Sequence, residues 1–338
     1  MRRGPAFKRR GVRSAPVDLD VVFLGTAGSA PTAQRGVSAT LVRRGGDRLL
    51  FDCGEGTQRQ LLRSDIGLVD LEEIYLTHLH ADHYLGLPGM LKTFSLRGRD
   101  VPLTIHGPVG TRELVAGLRR VFGALTYPVA VEELEPGAEL ARDGYRLDAI
   151  AVAHGVPAVG YRLVEASRPG RFDPVVATEL GIPDGPLRGA LQRGDAVTLP
   201  SGERIEPSRV VGPERPGRTV VLTGDTAPCA SVVDAAAGAD LLVHEATFLA
   251  EERDRAQATG HSTAGEAALV AREAGVRMLA LTHVSARYGG RETAEEARQL
   301  FDATVVPRDF DLVELPFAER GEPTLVARGA RRRRPAQA

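Results

Sequence analysis

Five short apolar runs in this chain end the same way, and that ending constrains the fold more than any other feature. "LEEIYLTH" closes on His78, "LDAIAVAH" on His154, "RTVVLTGD" on Asp225, "ADLLVHE" on His244 and Glu245, and "VRMLALTH" on His283. Each run is β-rich, and each is followed at once by an ionisable side chain. Helical patterns lie between the strands, over 56–64, 83–95, 110–122, 262–274 and 292–303. The fourth opens on Ser262 and Thr263 as caps, with Glu266 close behind. Such alternation predicts an α/β fold. In layered α/β folds, ligand sites lie beyond the carboxyl ends of the strands. Five like endings therefore predict that one sheet edge gathers these groups.

Length and composition set the outer bounds. The 338 residues are enough for a large core, and 43% hydrophobic with 26% charged is an ordinary globular balance. No stretch approaches 18 uninterrupted apolar residues, so no transmembrane helix or membrane partner is expected. Two cysteines, Cys53 and Cys229, exclude a scaffold stapled by disulfides and fit a reducing cytoplasm. Residues 1–16 hold six basic side chains and no acid, and residues 328–338 hold five more. Between them 32 basic residues face 44 acidic ones, so two basic tails, read as disordered, flank an acidic body over 17–320. Such tails serve either solubility or the electrostatic capture of a polyanion.

From 167 to 216 the sequence turns rich in Gly, Pro and Arg. An insertion of this length inside a compact domain is usually functional or a linker. It is read as a protruding arm carrying Arg168, Arg171, Arg188, Arg193, Arg204, Arg209 and Arg215, with Arg218 just beyond it.

The sharpest local signal is "THLHADHYLG", which sets His78, His80, Asp82 and His83 within six residues. Only eight histidines occur in the chain, and packing gives no reason to crowd three of them after a strand. Imidazole and carboxylate together suit zinc and similar ions. Alternate residues His78 and His80 project to one side of an extended segment. Asp82 and His83 can face a neighbouring position as the chain turns into a helix, so one motif can feed two metals. His154, Asp225 and His283 are the natural supplements, although His154 taken singly also reads as a core histidine. A pair of cations about 3.5–4 Å apart is a clamp for phosphodiester hydrolysis. The cysteines lack the CxxC spacing of a structural zinc site, and Cys53 reads as packing at a strand end. His106 and His244 read as structural.

These residues resemble the metallo-β-lactamase superfamily, whose fold is a four-layer αββα sandwich, and within it the ribonuclease Z branch of tRNA 3′-processing endonucleases. The likeness runs from about Val17 to Phe317. It rests on "FLGTAGSAPT", "LLFDCGEGTQRQLL", "LTHLHADHYLGLPGML", "TGDT", "HEATF", "GHST" and "LTHVSARY". The resemblance implies one zinc on His78, His80 and His154, and a second on Asp82, His83 and His283. Asp225 would bridge the two, and manganese or iron would fit similar sites. It implies Asp82 as general base, and Glu245 with His261 as the pair that passes a proton to the leaving oxygen. The plainer reading of that pair is support for the metal ligands. Arg287 is a candidate phosphate contact.

The resemblance also makes the arm an exosite for the tRNA elbow, inserted in the catalytic domain. Gly185, Pro186, Arg188 and Arg193 are its candidate contacts. A-form RNA is read by shape and backbone. In such enzymes the arm of one subunit serves its partner's active site, so a homodimer is implied. Gly36 stands where the family usually has Asn, in "PTAQRGVS". The expected reaction removes the 3′ trailer from precursor tRNA, leaving a 3′-hydroxyl and a 5′-phosphate. Two other readings are a phosphodiesterase for small esters and an RNA-binding protein that has lost its metals. The arm speaks against the first, and seven filled ligand positions speak against the second.

Overall fold

The structure, a computed structural model, describes residues 18–64, 66–68 and 71–328. The N-terminal basic tail lies outside the described residues, as does all of the C-terminal one except Arg328. Two twisted sheets pack face to face among the described residues. The first runs Thr324–Val326, Leu312–Glu314, Leu19–Gly25, Ala39–Arg44, Asp47–Phe51, Glu73–Tyr75, Leu103–Gly107 and Val129–Glu133 across its width. The second runs Thr304–Val305, Leu279–Thr282, Leu241–Glu245, Thr219–Leu222, Val159–Glu165, Tyr145–Ala151 and Glu139–Arg142.

Strand periodicity decides which side chains meet where. Leu19, Val21 and Phe23 face the second sheet, while Val22 and Leu24 face outward under helices. Val220, Leu222, Leu241 and Val243 point into the same central layer, and Val221 and Leu242 face the helices on the other side. Period-two alternation with both faces apolar yields helix, sheet, sheet, helix. The parallel strands Asp47–Phe51, Glu73–Tyr75, Thr219–Leu222, Leu241–Glu245 and Leu279–Thr282 all send their carboxyl ends to one edge.

Most helices fall where the pattern places them. Thr263 and Glu266 form the reciprocal capping box of Ala264–Ala274, as expected. The helix expected over 83–95 is instead two, Ala81–Tyr84 and Leu87–Leu96. The amide of Gly86 donates to the carbonyl of Cys53 at 2.8 Å, and a Cβ there would lie 2.2 Å from the carbonyl of Gly54. Pro88 then opens the second helix without an amide to satisfy. The helix expected over 292–303 is Gly290–Arg298.

The segment read as an arm leaves after Glu165 and returns before Thr219, closed at its root by bridges between Arg168 and Arg215 and between Phe172 and Val211. It has a small core of its own, including Ala177, Ile182, Leu191, Ile205 and Val210. Glu319 accepts hydrogen bonds from both Arg168 and Arg215 at 2.9 Å, and Phe317 lies beneath the Arg168 guanidinium at 3.4 Å. One expectation is corrected. Arg218, grouped with the arm arginines, is buried in the body of the fold, where its guanidinium donates to Glu165 at 2.7 Å and to the carbonyl of Leu315. A strand register carries it inward, and charge in the sequence does not reveal that.

Burial disfavours the ionised Glu165, but the hydrogen bonds and charges of Arg218 and then Arg44 outweigh it, and its pKa is lowered. The stability this pair contributes is therefore present above the unfolded carboxylate pKa of about 4.3 and is lost as pH falls towards the lower folded value. Glu165→Gln is expected to cost about 3 kcal/mol at pH 7, because it leaves a buried guanidinium without its counter-charge. Denaturant unfolding at pH 7 and pH 4 checks this, and the difference between variant and wild type should shrink at the lower pH.

Candidate metal centre

The shared strand edge collects every residue that the sequence nominates as a ligand. One group comprises His78, His80, His154 and Asp225, a second Asp82, His83 and His283, and a third Asp225, His261 and His283. Within each group the ligand atoms lie within 4.8 Å of one another. The Nε2 of His78 stands 3.0 Å from Nδ1 of His80, which is 3.3 Å from Nε2 of His154. The Oδ2 of Asp225 lies 3.6 Å from His78, 3.5 Å from His83 and 3.4 Å from His283. The Oδ2 of Asp82 is 3.5 Å from His83 and 3.2 Å from His283. Ligands about 2.0–2.1 Å from one tetrahedral ion must stand about 3.3 Å apart, and these spacings match.

The outer nitrogens fix which atom each ring presents. His83 donates from Nδ1 to Asp52 at 2.7 Å, and His154 donates to the carbonyl of Gly260 at 2.9 Å. The Thr247 hydroxyl donates to Glu245 at 2.6 Å and accepts from Nδ1 of His283 at 2.8 Å. In each case Nε2 is left to face the cluster, the arrangement that a metal-binding imidazole requires. Among the described residues, Nε2 of His83 and Oδ1 of Asp225 are buried without a hydrogen-bond partner. Orphaned donor atoms of this kind are costly unless a cation completes them, so the residues present fit a metal.

Backbone strain marks the same place. Asp52 and His283 adopt φ of 58° and 55°, which non-glycine residues rarely do. Gly28 makes room for His283, since a Cβ there would lie 2.6 Å from Nδ1. Gly224, at φ 63°, turns the chain from its strand into Asp225.

The electrostatics sort the groups. Burial, followed by the repulsion that His83 would exert if protonated, pushes His78 down to about 2, so the ring is neutral and its lone pair is available. Burial opposes ionisation of Asp225 and Asp82, yet the surrounding histidines hold both well below the usual carboxylate range. His261 lies 12% exposed beside the ligands, its Nδ1 2.7 Å from Glu245 and 3.9 Å from Asp225. Burial lowers its pKa, but the hydrogen bond and charge of Glu245 prevail and raise it. Glu245 is itself held by the amides of Thr226 and Thr247.

The other nominated residues lie elsewhere. Arg287 pairs with Glu252 at 2.8 Å and covers Phe248, whose ring is 6.0 Å from that of His261. Gly185 and Pro186 open the short arm helix Pro186–Gln192. Arg188 is turned inward, donating to the carbonyl of Ile182 and pairing with Asp184, whereas Arg193 is exposed and stands 3.7 Å from Asp195. His106 is buried between Glu73 and Glu132 and stacked on Tyr75. His244 is buried, with Nδ1 on the carbonyl of Glu245. Neither joins the cluster.

Sequence reasoning missed Asp52, Thr247 and the amide of Ser29, which donates to Asp82 at 2.9 Å. Asp52 follows the run "LLF", so the strand-end rule that found the ligands would have found it. Thr247 and Ser29 carry no signal of their own.

A family model described as a β-lactamase superfamily domain matches residues 47–284. The chain is 49% identical over 306 residues to Ribonuclease Z of Gemmatimonas aurantiaca, covering 89% of this chain and 97% of that protein. It is 48% identical over 308 residues to Ribonuclease Z of Haloferax volcanii, covering 90% and 97%. Human tRNase Z, short form, superposes with a TM-score of 0.64 at 28% identity over 88% of this chain and 99% of that one. The metallo-β-lactamase fold protein YhfI from Bacillus subtilis shares the fold, with a TM-score of 0.65 at 21% identity over 88% and 99%.

Proposed function

The chain belongs to the ribonuclease Z family of the β-lactamase superfamily, and from that premise we propose that it is a metal-dependent endoribonuclease that removes the 3′ trailer from precursor tRNA. The observation that carries the reading is one of extent. An alignment over 89% of the chain necessarily includes residues 78–283, so ligand cluster and arm both fall within the span shared with ribonuclease Z sequences.

In this reading His78, His80 and His154 would hold one zinc, Asp82, His83 and His283 would hold a second, and Asp225 would serve both groups. Nitrogen and oxygen donors without a thiolate also accept manganese or iron. When bound, such a pair supplies an activated water and charge stabilisation at the attacking and leaving oxygens. Asp82, oriented by the amide of Ser29, accepts the proton of the attacking water. His261, oriented by Glu245, donates a proton to the departing 3′-oxygen of the tRNA, leaving the phosphate on the trailer. Arg287, at the rim beside Phe248, contacts a phosphate.

The arm roots at the far end of the second sheet. Asp225 follows one end of Thr219–Leu222, while the arm enters at the other end, beside Glu165. A seven-residue strand at about 3.3 Å per residue puts roughly 20 Å between root and ligands. That separation favours an arm that serves the centre of a second subunit, and hence a homodimer.

Deleting residues 170–212 tests the exosite. Gly170 and Gly212 are close enough that a Cβ on the first would lie 1.8 Å from the carbonyl of the second, so a short linker closes the gap. Cleavage of precursor tRNA is expected to fall at least about 100-fold, with hydrolysis of bis-p-nitrophenyl phosphate kept. Intact tRNA processing would overturn the exosite, and equal loss of both activities would favour a structural role. Sequencing the 3′ ends from one precursor tests the products. Mixing arm-deleted subunits with ligand-deficient ones tests the dimer, since activity returns only if the arm acts across subunits.

A further inference from the structure

Most of the arm's positive charge is paired. Between 167 and 216 its seven arginines are matched by seven acids. Arg168 and Arg215 are held by Glu319, Arg188 by Asp184, Arg204 by Glu206 and Arg209 by Glu203. A second surface differs. A groove of about 790 Å³ runs beside the loop Pro31–Gly36, two residues beyond the Ser29 that donates to Asp82. Its floor is reached from Phe310, whose amide pairs with Phe23 where the strand Leu19–Gly25 leads to the metal-centre edge. Arg59, Arg63, Arg308 and Arg328 line it and are exposed. Among the described residues none of these four forms an ion pair. Asp309 and Asp311 also border the groove, but both are buried and accept hydrogen bonds, Asp309 from Thr26, Gly36 and Gln60, Asp311 from the amides of Arg308 and Arg328. Glu55 is the one exposed acid among the lining residues.

Two of the cations share a platform. The guanidinium of Arg328 lies 4.1 Å from the centre of the Phe310 ring and that of Arg63 lies 5.5 Å from it. Two like charges held over one ring favour the entry of an anion. Arg328 is also where the C-terminal basic run begins, with Arg331 to Arg334 next in sequence.

We infer that this groove binds the phosphate backbone of the single-stranded 3′ trailer downstream of the cut. The inference rests on the reading that precursor tRNA is the substrate. The volume suits a drug-sized ligand, about two nucleotides of one strand. Guanidinium groups along a groove track a backbone without reading bases, as a segment of variable sequence requires. Phe310 is 9% exposed, so it supports the cations and offers no face for base stacking.

The test compares precursor tRNAs carrying trailers of one to eight nucleotides. For wild type, kcat/KM should rise with the first few nucleotides and fall steeply with salt. The triple variant Arg59→Ala, Arg63→Ala, Arg308→Ala should lose that rise, by about 10- to 30-fold on the longest trailer. Its log–log salt slope should be smaller by about 2, at about 0.7 for each single-strand phosphate contact. Its cleavage of the one-nucleotide trailer and of bis-p-nitrophenyl phosphate should match wild type. Arg59→Glu with Arg308→Glu, which leaves the Phe310 platform untouched, should give the same pattern, so a packing defect is separable. A preserved length dependence in both variants overturns the inference, as does equal loss on the one-nucleotide trailer, which would place the tRNA body in the groove. If wild type cleaves no precursor tRNA, the functional reading itself fails.

Discussion

Asp225→Ala is expected to lower cleavage of precursor tRNA by about 10⁴-fold or more, which is about 5.5 kcal/mol of transition-state stabilisation. A single carboxylate oxygen lies within 3.6 Å of His78, His83 and His283 and so joins the two ligand groups. Removing it leaves neither group complete. Hydrolysis of bis-p-nitrophenyl phosphate should fall with it, in contrast to the arm deletion. Metal analysis of the purified variant should show fewer ions per chain than wild type under the same metal-replete conditions. Stability should move the other way without metal. Asp225 is 3% exposed and one of its oxygens has no partner, so the metal-free variant should unfold no more easily than metal-free wild type, while the gain in stability on adding zinc should shrink. A variant that keeps full metal content and activity would remove Asp225 from the centre.

The second large effect is at His261. Its alanine variant should lose about 10²- to 10⁴-fold in kcat on precursor tRNA, the range of a positioned general acid, and should keep its metal. Geometry separates this from a supporting role. His261 is tied to Glu245, and Glu245 to Thr247, which accepts from the His283 ring. If the pair merely braced His283, metal content would fall together with activity. If His261 donates a proton to the leaving oxygen, a substrate whose leaving group departs as a stable anion needs no donor. Bis-p-nitrophenyl phosphate should then be hydrolysed by His261→Ala at close to the wild-type rate. Glu245→Gln should give a smaller loss on tRNA, because the ring stays placed while the charge that raises its pKa is gone.

Much of this centre is readable along the chain because strand periodicity and strand endings are local. A run such as "RTVVLTGD" sets its own alternation, its own end and the residue beyond that end, and parallel packing brings like ends together. The same logic carries the ligands His78, His154, Asp225 and His283, and the capping box of Thr263 and Glu266. It also reaches Asp52, which follows the run "LLF" and obeys the same rule. It fails at Leu85 and Gly86, where the contact that breaks the helix is with Cys53 and Gly54, distant in sequence.

By itself, then, the sequence determined the layered fold, the edge at which ionisable groups collect and the donor types that meet there, because these follow from short-range pattern and side-chain chemistry. Only the tertiary structure decided which charges are free. The arm looked like a basic clamp, but most of its arginines are paired, Arg188, Arg204 and Arg209 with acids of the arm itself and Arg168 and Arg215 with Glu319, which folding brings to them. Arg218 is buried on Glu165, and four exposed arginines without an ion pair among the described residues line the groove beside Phe310. Pairs that cross the fold, such as Arg168 and Arg215 with Glu319, depend on distances of a few ångströms between residues far apart in the chain, and a linear count of charges holds no information about those distances.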